Sequence, residues 1–240
     1  LNLHYHATTN LGSLPDDFVE WARTYKITVL CDVDGNEELH NIHRPFKDGS
    51  PSFVKVCKNI IKLVTAGISV SLRTTVTAMN QKNLLETTRL HKELMGESSS
   101  FVPVNLLDSD GNILTDDMIP SIDQLYAAVH ELYDSKEWHL SNLFPFNSYS
   151  GKISPGHRAV FGCGAPYGNT PVVDVDGNIY PCIYLVGIPI YHIGNIMDET
   201  YPETKKLQVM ADELHVDKRE ECKRCSRRYL CGGGCPVQQR

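Results

Sequence analysis

The chain has 240 residues, a formal net charge of −6 at pH 7 and a sequence pI of about 5.9. This acidic balance, without a stripe of Lys and Arg interleaved with aromatic residues, argues against a nucleic-acid-binding module. The sequence contains no apolar run of membrane-spanning length. A chain of this size can also bury a core without covalent staples. We therefore expect a globular protein with neither a nucleic acid nor a membrane as partner.

The predicted elements of residues 1–138 alternate between strand and helix. Alternating or buried apolar runs predict the strands, and apolar residues at helical spacing predict the helices. The predictions in chain order are strand Leu3–His6, helix Ser13–Tyr25, strand Ile27–Asp32, helix Phe53–Val64, strand Ile68–Val76, helix Leu84–Met95, strand Phe101–Leu107 and helix Ile122–Tyr133. Four strand–helix units call for a parallel sheet with right-handed crossovers, so we predict an α/β fold.

The rest of the chain differs in composition. Residues 139–162 are rich in Ser, Pro, Gly and Asn, which is typical of a linker. Beyond them, Val172 to Cys182 predicts a β-hairpin that turns at Asp176-Gly177. We therefore predict a strand–helix domain at 1–138, a linker at 139–162 and a small cysteine-rich domain at 163–240.

Six of the eight cysteines lie in that last domain and follow an ordered pattern: Cys163, Cys182, Cys222, Cys225, Cys231 and Cys235. Two cysteines separated by two residues can grip one metal from a tight turn, and thiolates suit both zinc and iron–sulfur clusters. Cys222 and Cys225 have this spacing. Three glycines, 232–234, would let the backbone fold closely over a cluster. The pattern therefore predicts a metal-binding framework.

Three alternatives use the cysteines differently. Disulfides are disfavoured, because a chain of 240 residues needs no staples. A single structural zinc held by Cys222, Cys225, Cys231 and Cys235 would satisfy tetrahedral coordination, but it leaves Cys163 and Cys182 without a role. The two cysteines of the first domain, 31 and 57, are better explained as small buried hydrophobes than as ligands.

The cysteine pattern resembles the SPASM domain, the auxiliary-cluster domain of radical S-adenosylmethionine peptide and protein maturases. The resemblance rests on the six ordered cysteines and on Gly177, four residues before Cys182. It implies two auxiliary 4Fe–4S clusters, the first bound by Cys163, Cys182 and Cys235 and the second by Cys222, Cys225 and Cys231. The family pattern has one more cysteine after the position of Cys235, which this sequence does not contain.

The first domain is similar to the middle of the radical S-adenosylmethionine barrel. The resemblance rests on Asp32-Val33-Asp34-Gly35, His40, Arg44, Asp48 to Phe53, Asn59-Ile60, Gly67-Ile68, Leu72 to Val76 and Asn80. The family barrel has six strand–helix units, so the four predicted here imply a partial TIM-like barrel. The family's catalytic CxxxCxxC loop is absent from the sequence. We expect a C-terminal portion of a longer enzyme, which alone does not cleave S-adenosylmethionine.

Residues just past the ends of barrel strands are the candidates for contact with S-adenosylmethionine. The resemblance places Asn10 in the family's Thr-Asn-Gly turn, although Leu11 replaces the glycine. It places Asp32 where the family usually has serine. Arg73, predicted at a strand end, would meet a carboxylate of cofactor or substrate.

The implied function is modification of a peptide or protein in an anaerobic cytoplasm. In sulfatase-maturating relatives an acid follows the cysteine that corresponds to Cys182, whereas here Ile183 follows. This difference favours thioether or carbon–carbon crosslinking over formylglycine formation. A zinc- or cluster-binding module that recognises a peptide without chemistry is the alternative, and a relative of the anaerobic sulfatase-maturating enzymes is a further one. We also predict self-association through an exposed sheet edge near residues 3–6.

Overall fold

The computed structural model describes residues 4–95, 99–104, 115, 117–137, 141–143, 156, 158–198 and 204–235, without the side chains of 95, 99, 141–143 and 204. The chain forms two compact units, Leu1–Asn147 and Ser148–Arg240. Most of the predicted linker at 139–162 lies outside the described residues. Among the described residues, no helix is long and apolar enough to cross a membrane.

The described part of the first unit contains a five-stranded parallel sheet in sequential strand order. Its strands are β1 (His6–Thr8), β2 (Thr28–Asp32), β3 (Val70–Val76), β4 (Ser99–Pro103) and β5 (Ser141–Leu143). The helices are α1 (Phe18–Thr24), α2 (Glu37–His43), α3 (Phe53–Thr65), α4 (Leu84–Met95) and α5 (Ile122–Asp134). The predicted α/β class is confirmed, with β5 as an additional strand in the segment predicted to be a linker.

The core of this unit follows from the two periodicities of its elements. In α3, Val56, Ile60 and Leu63 recur at helical spacing and are buried. They belong to the same apolar cluster as Val29 and Leu72 of the central strands. Burying one aliphatic side chain of this size contributes roughly 1.5–3 kcal/mol. The helix face and the strands therefore provide a rigid base for groups at the strand ends.

Two boundary predictions at the start of the chain were wrong by several residues. The first strand begins at His6 rather than Leu3, and the first helix begins at Phe18 rather than Ser13. The backbone of Leu11 between them has φ of 50° while its side chain is 1% exposed, so this segment is a turn that buries an apolar residue. β1 is the terminal strand of the described sheet.

The second unit contains a small antiparallel sheet of β6 (Val172–Val173), β7 (Asn178–Tyr180) and β8 (Gly194–Asn195). The predicted hairpin is confirmed, with Gly177 at φ of 82° in the turn. The Asp174 carboxylate stabilises this turn by accepting hydrogen bonds from the backbone N–H groups of Asp176 and Asn178, both at 2.9 Å. Helices α6 (Thr204–Leu214), α7 (Glu220–Lys223) and α8 (Arg228–Cys231) follow.

Candidate cluster and cofactor sites

Asp32 and Arg73 form a bidentate ion pair between neighbouring strands. Asp32 is the last residue of β2 and lies in register with Arg73 of β3. Arg73 donates from Nε to Oδ1 at 2.6 Å and from Nη2 to Oδ2 at 3.0 Å. Arg73 therefore does not lie at its strand end as predicted, because β3 continues to Val76. The structure nevertheless brings two of the predicted cofactor residues into direct contact.

A second pair extends this network. The Asp34 carboxylate, whose side chain is 2% exposed, accepts from Arg44 Nε at 2.6 Å and from the backbone N–H of Thr75 at 2.8 Å. Arg44 also donates to Thr75 Oγ1 at 3.1 Å, and its Nη1 lies 3.3 Å from Asp32 Oδ2. Two carboxylates and two guanidinium groups thus neutralise one another at the carboxyl end of strand β2.

Burial shifts the pKa values of Asp34 and of the neighbouring His40. Burial raises the pKa of Asp34 above its ordinary value, although Arg44 opposes the change. Burial lowers the pKa of His40 to about 4. His40 Nδ1 accepts from the Asp34 backbone N–H at 3.3 Å, which assigns the neutral tautomer with a proton on Nε2. His40 and Arg44 therefore both hold the loop that follows β2.

Asn10, the third predicted cofactor residue, lies on a separate cleft of the same unit. This cleft has a volume of about 240 Å³, and its lining includes Asn10, His40, Arg44, Phe46 and Ser52. The Asn10 side chain accepts from the backbone N–H of Gly12 at 3.0 Å. Arg44 connects this cleft to the ion-pair network, because it belongs to both. A polar ligand in this cleft would contact amide, imidazole and guanidinium groups.

Of the two cysteines of the first unit, Cys31 is buried as the sequence predicts, whereas Cys57 is only half-buried. Cys31 is fully buried in the apolar cluster, and burial raises the pKa of its thiol to about 12. Burial also raises the pKa of Cys57 to about 11. Because the thiolate form is the metal ligand, both residues are poor ligands at neutral pH.

Turns carry three of the cysteines of the second unit. The backbone N–H of Cys225 donates to the Cys222 carbonyl at 3.0 Å, which closes the tight turn expected for a CxxC pair. Cys231 is the last residue of α8, and glycines 232–234 follow with φ between 70° and 83°. Only glycine adopts three such left-handed conformations without strain. The run therefore reverses the chain between Cys231 and Cys235.

A close backbone contact brings the segment before Cys163 against this glycine run. A Cβ atom at Gly162 would overlap the Gly234 carbonyl group, and a Cβ atom at Gly232 would overlap the backbone of Phe161. The Ala159 N–H donates to the Tyr229 carbonyl at 2.8 Å and extends the contact. The arrangement fits the role predicted for the glycines, which is to let backbone approach backbone beside cysteine ligands.

Cys163 and Cys235 both lie close enough to Cys182 to affect its titration. Burial raises the pKa of the Cys182 thiol, and negative charge on Cys163 and Cys235 raises it further. These three residues are the set that the family resemblance assigns to the first cluster. Among the described side chains, no three His, Cys, Asp or Glu are grouped closely enough to hold a single metal ion. A 4Fe–4S cluster takes cysteine thiolates as ligands, and Cys163, Cys182 and Cys235 are of that chemical type.

Basic residues near the cysteines have acidic partners, which the sequence did not indicate. Lys223 Nζ lies 2.5 Å from Glu220 Oε1, and Arg228 Nε lies 3.3 Å from Asp217 Oδ1. Tyr229 adds a 2.7 Å hydrogen bond from its hydroxyl to Asp217 Oδ1. These contacts organise the segment that carries Cys222, Cys225 and Cys231.

Comparison with protein families supports the assignment of the second unit. Residues 163–226 match the SPASM family, described as an iron–sulfur cluster-binding domain. The match includes Cys163, Cys182, Cys222 and Cys225. The auxiliary iron–sulfur clusters predicted from the cysteine pattern are thus supported at the level of the domain.

Curated relatives extend the similarity to nearly the whole chain. The serine-type anaerobic sulfatase-maturating enzyme of Bacteroides thetaiotaomicron is 25% identical over 249 residues, covering 95% of this chain and 59% of the relative. The cysteine-type enzyme of Clostridium perfringens is 25% identical over 246 residues, covering 96% of this chain and 64% of the relative. The chain therefore spans about 60% of the length of these relatives.

Solved structures agree on the fold. Native anSMEcpe with bound AdoMet and Cp18Cys peptide has a TM-score of 0.73 at 21% identity, covering 99% of this chain and 67% of that one. Streptococcus suis SuiB bound to precursor peptide SuiA has a TM-score of 0.63 at 16% identity, covering 97% and 54%. These findings confirm the resemblance to radical S-adenosylmethionine enzymes with a SPASM domain. Its particular relatives here are sulfatase-maturating enzymes and SuiB.

Proposed function

We propose that this chain is the partial barrel and auxiliary-cluster portion of a radical S-adenosylmethionine maturase that modifies a peptide or protein. The observation that carries the proposal is similarity to sulfatase-maturating enzymes over at least 95% of the chain, including both units. The backbone contact between Gly162 and Gly234, which brings the neighbouring Cys163 and Cys235 close in the fold, supports it independently.

Within this class, we favour a relative of the anaerobic sulfatase-maturating enzymes. The preference for crosslinking rested on Ile183, which replaces the expected acid after Cys182. The relatives favour the alternative, because the curated ones carry sulfatase-maturating names and, among the solved structures, anSMEcpe is more similar in sequence than SuiB, at 21% against 16–17% identity. Ile183 is 67% exposed, so a substitution there changes the surface beside Cys182 without changing the core.

The described residues suggest how each unit contributes. Arg73 and Arg44 would orient an anionic group of S-adenosylmethionine or substrate, held by Asp32 and Asp34. Asn10 would contact a polar group in the neighbouring cleft. When bound to a reduced catalytic cluster, S-adenosylmethionine supplies a radical that removes a substrate hydrogen. The six cysteines would hold auxiliary clusters in a cytoplasmic, anaerobic setting.

A product assay distinguishes the two chemistries. The protein that carries this chain would be prepared anaerobically with iron, sulfide and S-adenosylmethionine and given sulfatase-derived peptides with cysteine or serine at the target position. We expect a product aldehyde that reacts with a carbonyl reagent. A product that does not react with this reagent, and whose target cysteine cannot be alkylated after reduction, would instead indicate a crosslink. Peptide binding without any product in a cluster-loaded protein would support the non-catalytic module.

The isolated 240-residue chain provides a control. Because CxxxCxxC is absent from its 240 residues, we expect no cleavage of S-adenosylmethionine by this polypeptide alone. We still expect it to bind auxiliary clusters. Formation of 5′-deoxyadenosine by the isolated chain would contradict the assignment of the catalytic loop to a part outside this sequence.

A further inference from the structure

Two arginines lie against one tyrosine ring beside the predicted second cluster. The guanidinium carbon of Arg158 is 3.8 Å from the ring centroid of Tyr229, and that of Arg228 is 4.6 Å from it. Arg158 also donates to the Tyr229 hydroxyl. The hydroxyl donates in turn to Asp217 Oδ1 at 2.7 Å. Cation–π contacts and hydrogen bonds thus hold the ring from several sides.

Arg228 links this arrangement to the CxxC turn. Its Nη1 lies 3.1 Å from the Lys223 carbonyl oxygen and 3.4 Å from the Cys225 carbonyl oxygen, so it donates to both. Its backbone N–H also donates to the Cys225 carbonyl at 3.3 Å. The planar guanidinium can make these contacts together with its ion pair to Asp217, which a lysine ammonium cannot reproduce. One side chain therefore spans the turn between Cys222 and Cys225 and the helix that ends at Cys231.

The local charges leave an excess of positive charge at this position. Arg158 and Arg228 carry two positive charges, whereas Asp217 carries one negative charge. Lys223 and Arg219 have carboxylate partners of their own in Glu220 and Glu221. A thiolate-ligated cluster is anionic, and its reduced form carries one more negative charge. A nearby net positive charge stabilises the reduced form, which raises the reduction potential.

We propose that Arg228 is a positioning residue for the iron–sulfur site of Cys222, Cys225 and Cys231, and that its charge raises the reduction potential of the cluster bound there. The inference rests on the cluster binding proposed above. Arg228 holds the carbonyl groups of the turn so that both turn cysteines face one cluster. Tyr229 and Asp217 fix the direction of the guanidinium group.

The test compares substitutions that separate charge from geometry. Arg228→Gln removes the charge and the planar fork, whereas Arg228→Lys keeps the charge and removes the fork. Arg224→Gln is the matched control, because it removes the same charge from an exposed position next to Cys225. Each 240-residue variant would be reconstituted anaerobically, and its iron and sulfide content and reduction potential would be measured by EPR-monitored titration.

We expect Arg228→Gln to lose iron and to shift the potential of the remaining cluster to a lower value. Arg228→Lys should lose iron to a similar extent but recover most of the potential. Arg224→Gln should change neither quantity appreciably, since solvent screens an exposed charge. In a Cys225→Ser background, Arg228→Gln should cause no further shift, which assigns the effect to this cluster.

The possible failures can be distinguished. If the unmodified chain binds no iron, the proposed cluster function fails and this inference with it. If the unmodified chain binds clusters but Arg228→Gln retains its iron and potential, only the inference fails. An equal shift in Arg224→Gln would also overturn it, because net charge alone would then suffice. Tyr229→Phe, which keeps the ring and removes the hydroxyl, checks the arrangement with less risk to folding, and full retention of iron and potential there would exclude a role for the hydrogen bond from Tyr229 to Asp217.

Discussion

The two candidate sites of this chain are stabilised in opposite ways. At the carboxyl end of strand β2, Asp32, Asp34, Arg44 and Arg73 neutralise one another beside a core that is mostly apolar. In the second unit, glycine turns bring thiols together from distant parts of the chain. The charges of this network balance within the chain itself, whereas we expect the cysteine site to gain its main crosslinks only when a cluster binds.

The largest expected effect comes from breaking the ion-pair network of Asp32, Asp34, Arg44 and Arg73. Arg44→Gln leaves the Asp34 carboxylate buried without its charged partner, and we expect a loss of about 3 kcal/mol of unfolding free energy. Both tryptophans lie in the first unit, so their fluorescence in urea would follow this unit. Arg89→Gln is the control, because its ion pair with Glu137 is exposed and we expect a loss below about 1 kcal/mol. Equal losses in the two variants would show that the network is not a special element of stability.

The next effect concerns the glycine contact in the second unit. Gly162→Ala places a methyl group against the Gly234 carbonyl, so we expect a cost of about 1–3 kcal/mol and a marked loss of bound iron. Gly164→Ala is closely matched, since it flanks Cys163 on the other side and its Cβ would lie 3.4 Å from its nearest neighbours. Iron retention by both variants would contradict the role assigned to this backbone contact.

Acid should destabilise the first unit through its buried histidines. His40 and His91 have pKa values lowered by burial to about 4 from 6.5, so the unfolded state binds their protons more tightly. Stability is therefore full above pH 6.5 and falls as the pH decreases toward 4, by about 2 kcal/mol for each histidine at pH 5. The raised pKa of Asp34 acts in the opposite direction at the acidic end of this window.

Urea unfolding at pH 7 and pH 5 checks this dependence. His40→Gln and His91→Gln should each lower the difference in unfolding free energy between the two pH values, whatever they do to stability at pH 7. His130→Gln serves as the comparison, because this histidine lies on the partly exposed helix α5. If both variants kept the original difference in unfolding free energy between pH 7 and pH 5, the acid sensitivity could not be assigned to His40 and His91.

The smallest effect separates the two ion pairs of the network. A double-mutant cycle between Asp32→Asn and Arg73→Gln should give a coupling energy of about 1 kcal/mol, because the pair is bidentate but Arg73 is partly exposed. Arg73 side-chain exposure is 33%, against 2% for Asp34. A coupling near zero would mean that Asp32 and Arg73 do not stabilise each other in the folded state.

Local signals predicted much of the fold. The apolar spacing of α4 predicted its bounds, Leu84–Met95, and Asp176-Gly177 predicted the hairpin turn. Helix α2 was missed although a signal was present: the Asn36 side chain accepts from the Leu39 N–H at 3.1 Å, and two glutamates follow it. Strand β5 has only three residues and no apolar periodicity, so composition alone suggested a linker.

The site was harder to predict, for a physical reason. The cysteine spacing identified the metal framework because its ligands are close in sequence. The contact of Asp32 with Arg73 depends on strand register across 41 residues, and that of Arg158 with Tyr229 spans 71 residues. Neither leaves a local pattern. The ion pair of Asp34 with Arg44 and the burial of the Asp34 carboxylate leave no local pattern either.

The most direct test of the account is the iron, sulfide and zinc content of the anaerobically prepared chain, with its absorbance spectrum. We predict iron and sulfide in equal amounts and a broad brown charge-transfer band, which weakens when Cys182 or Cys225 is replaced by serine because each substitution removes a ligand of one cluster. Stoichiometric zinc without iron or sulfide, persisting after attempted reconstitution, would contradict the account and assign Cys222, Cys225, Cys231 and Cys235 to a structural zinc site.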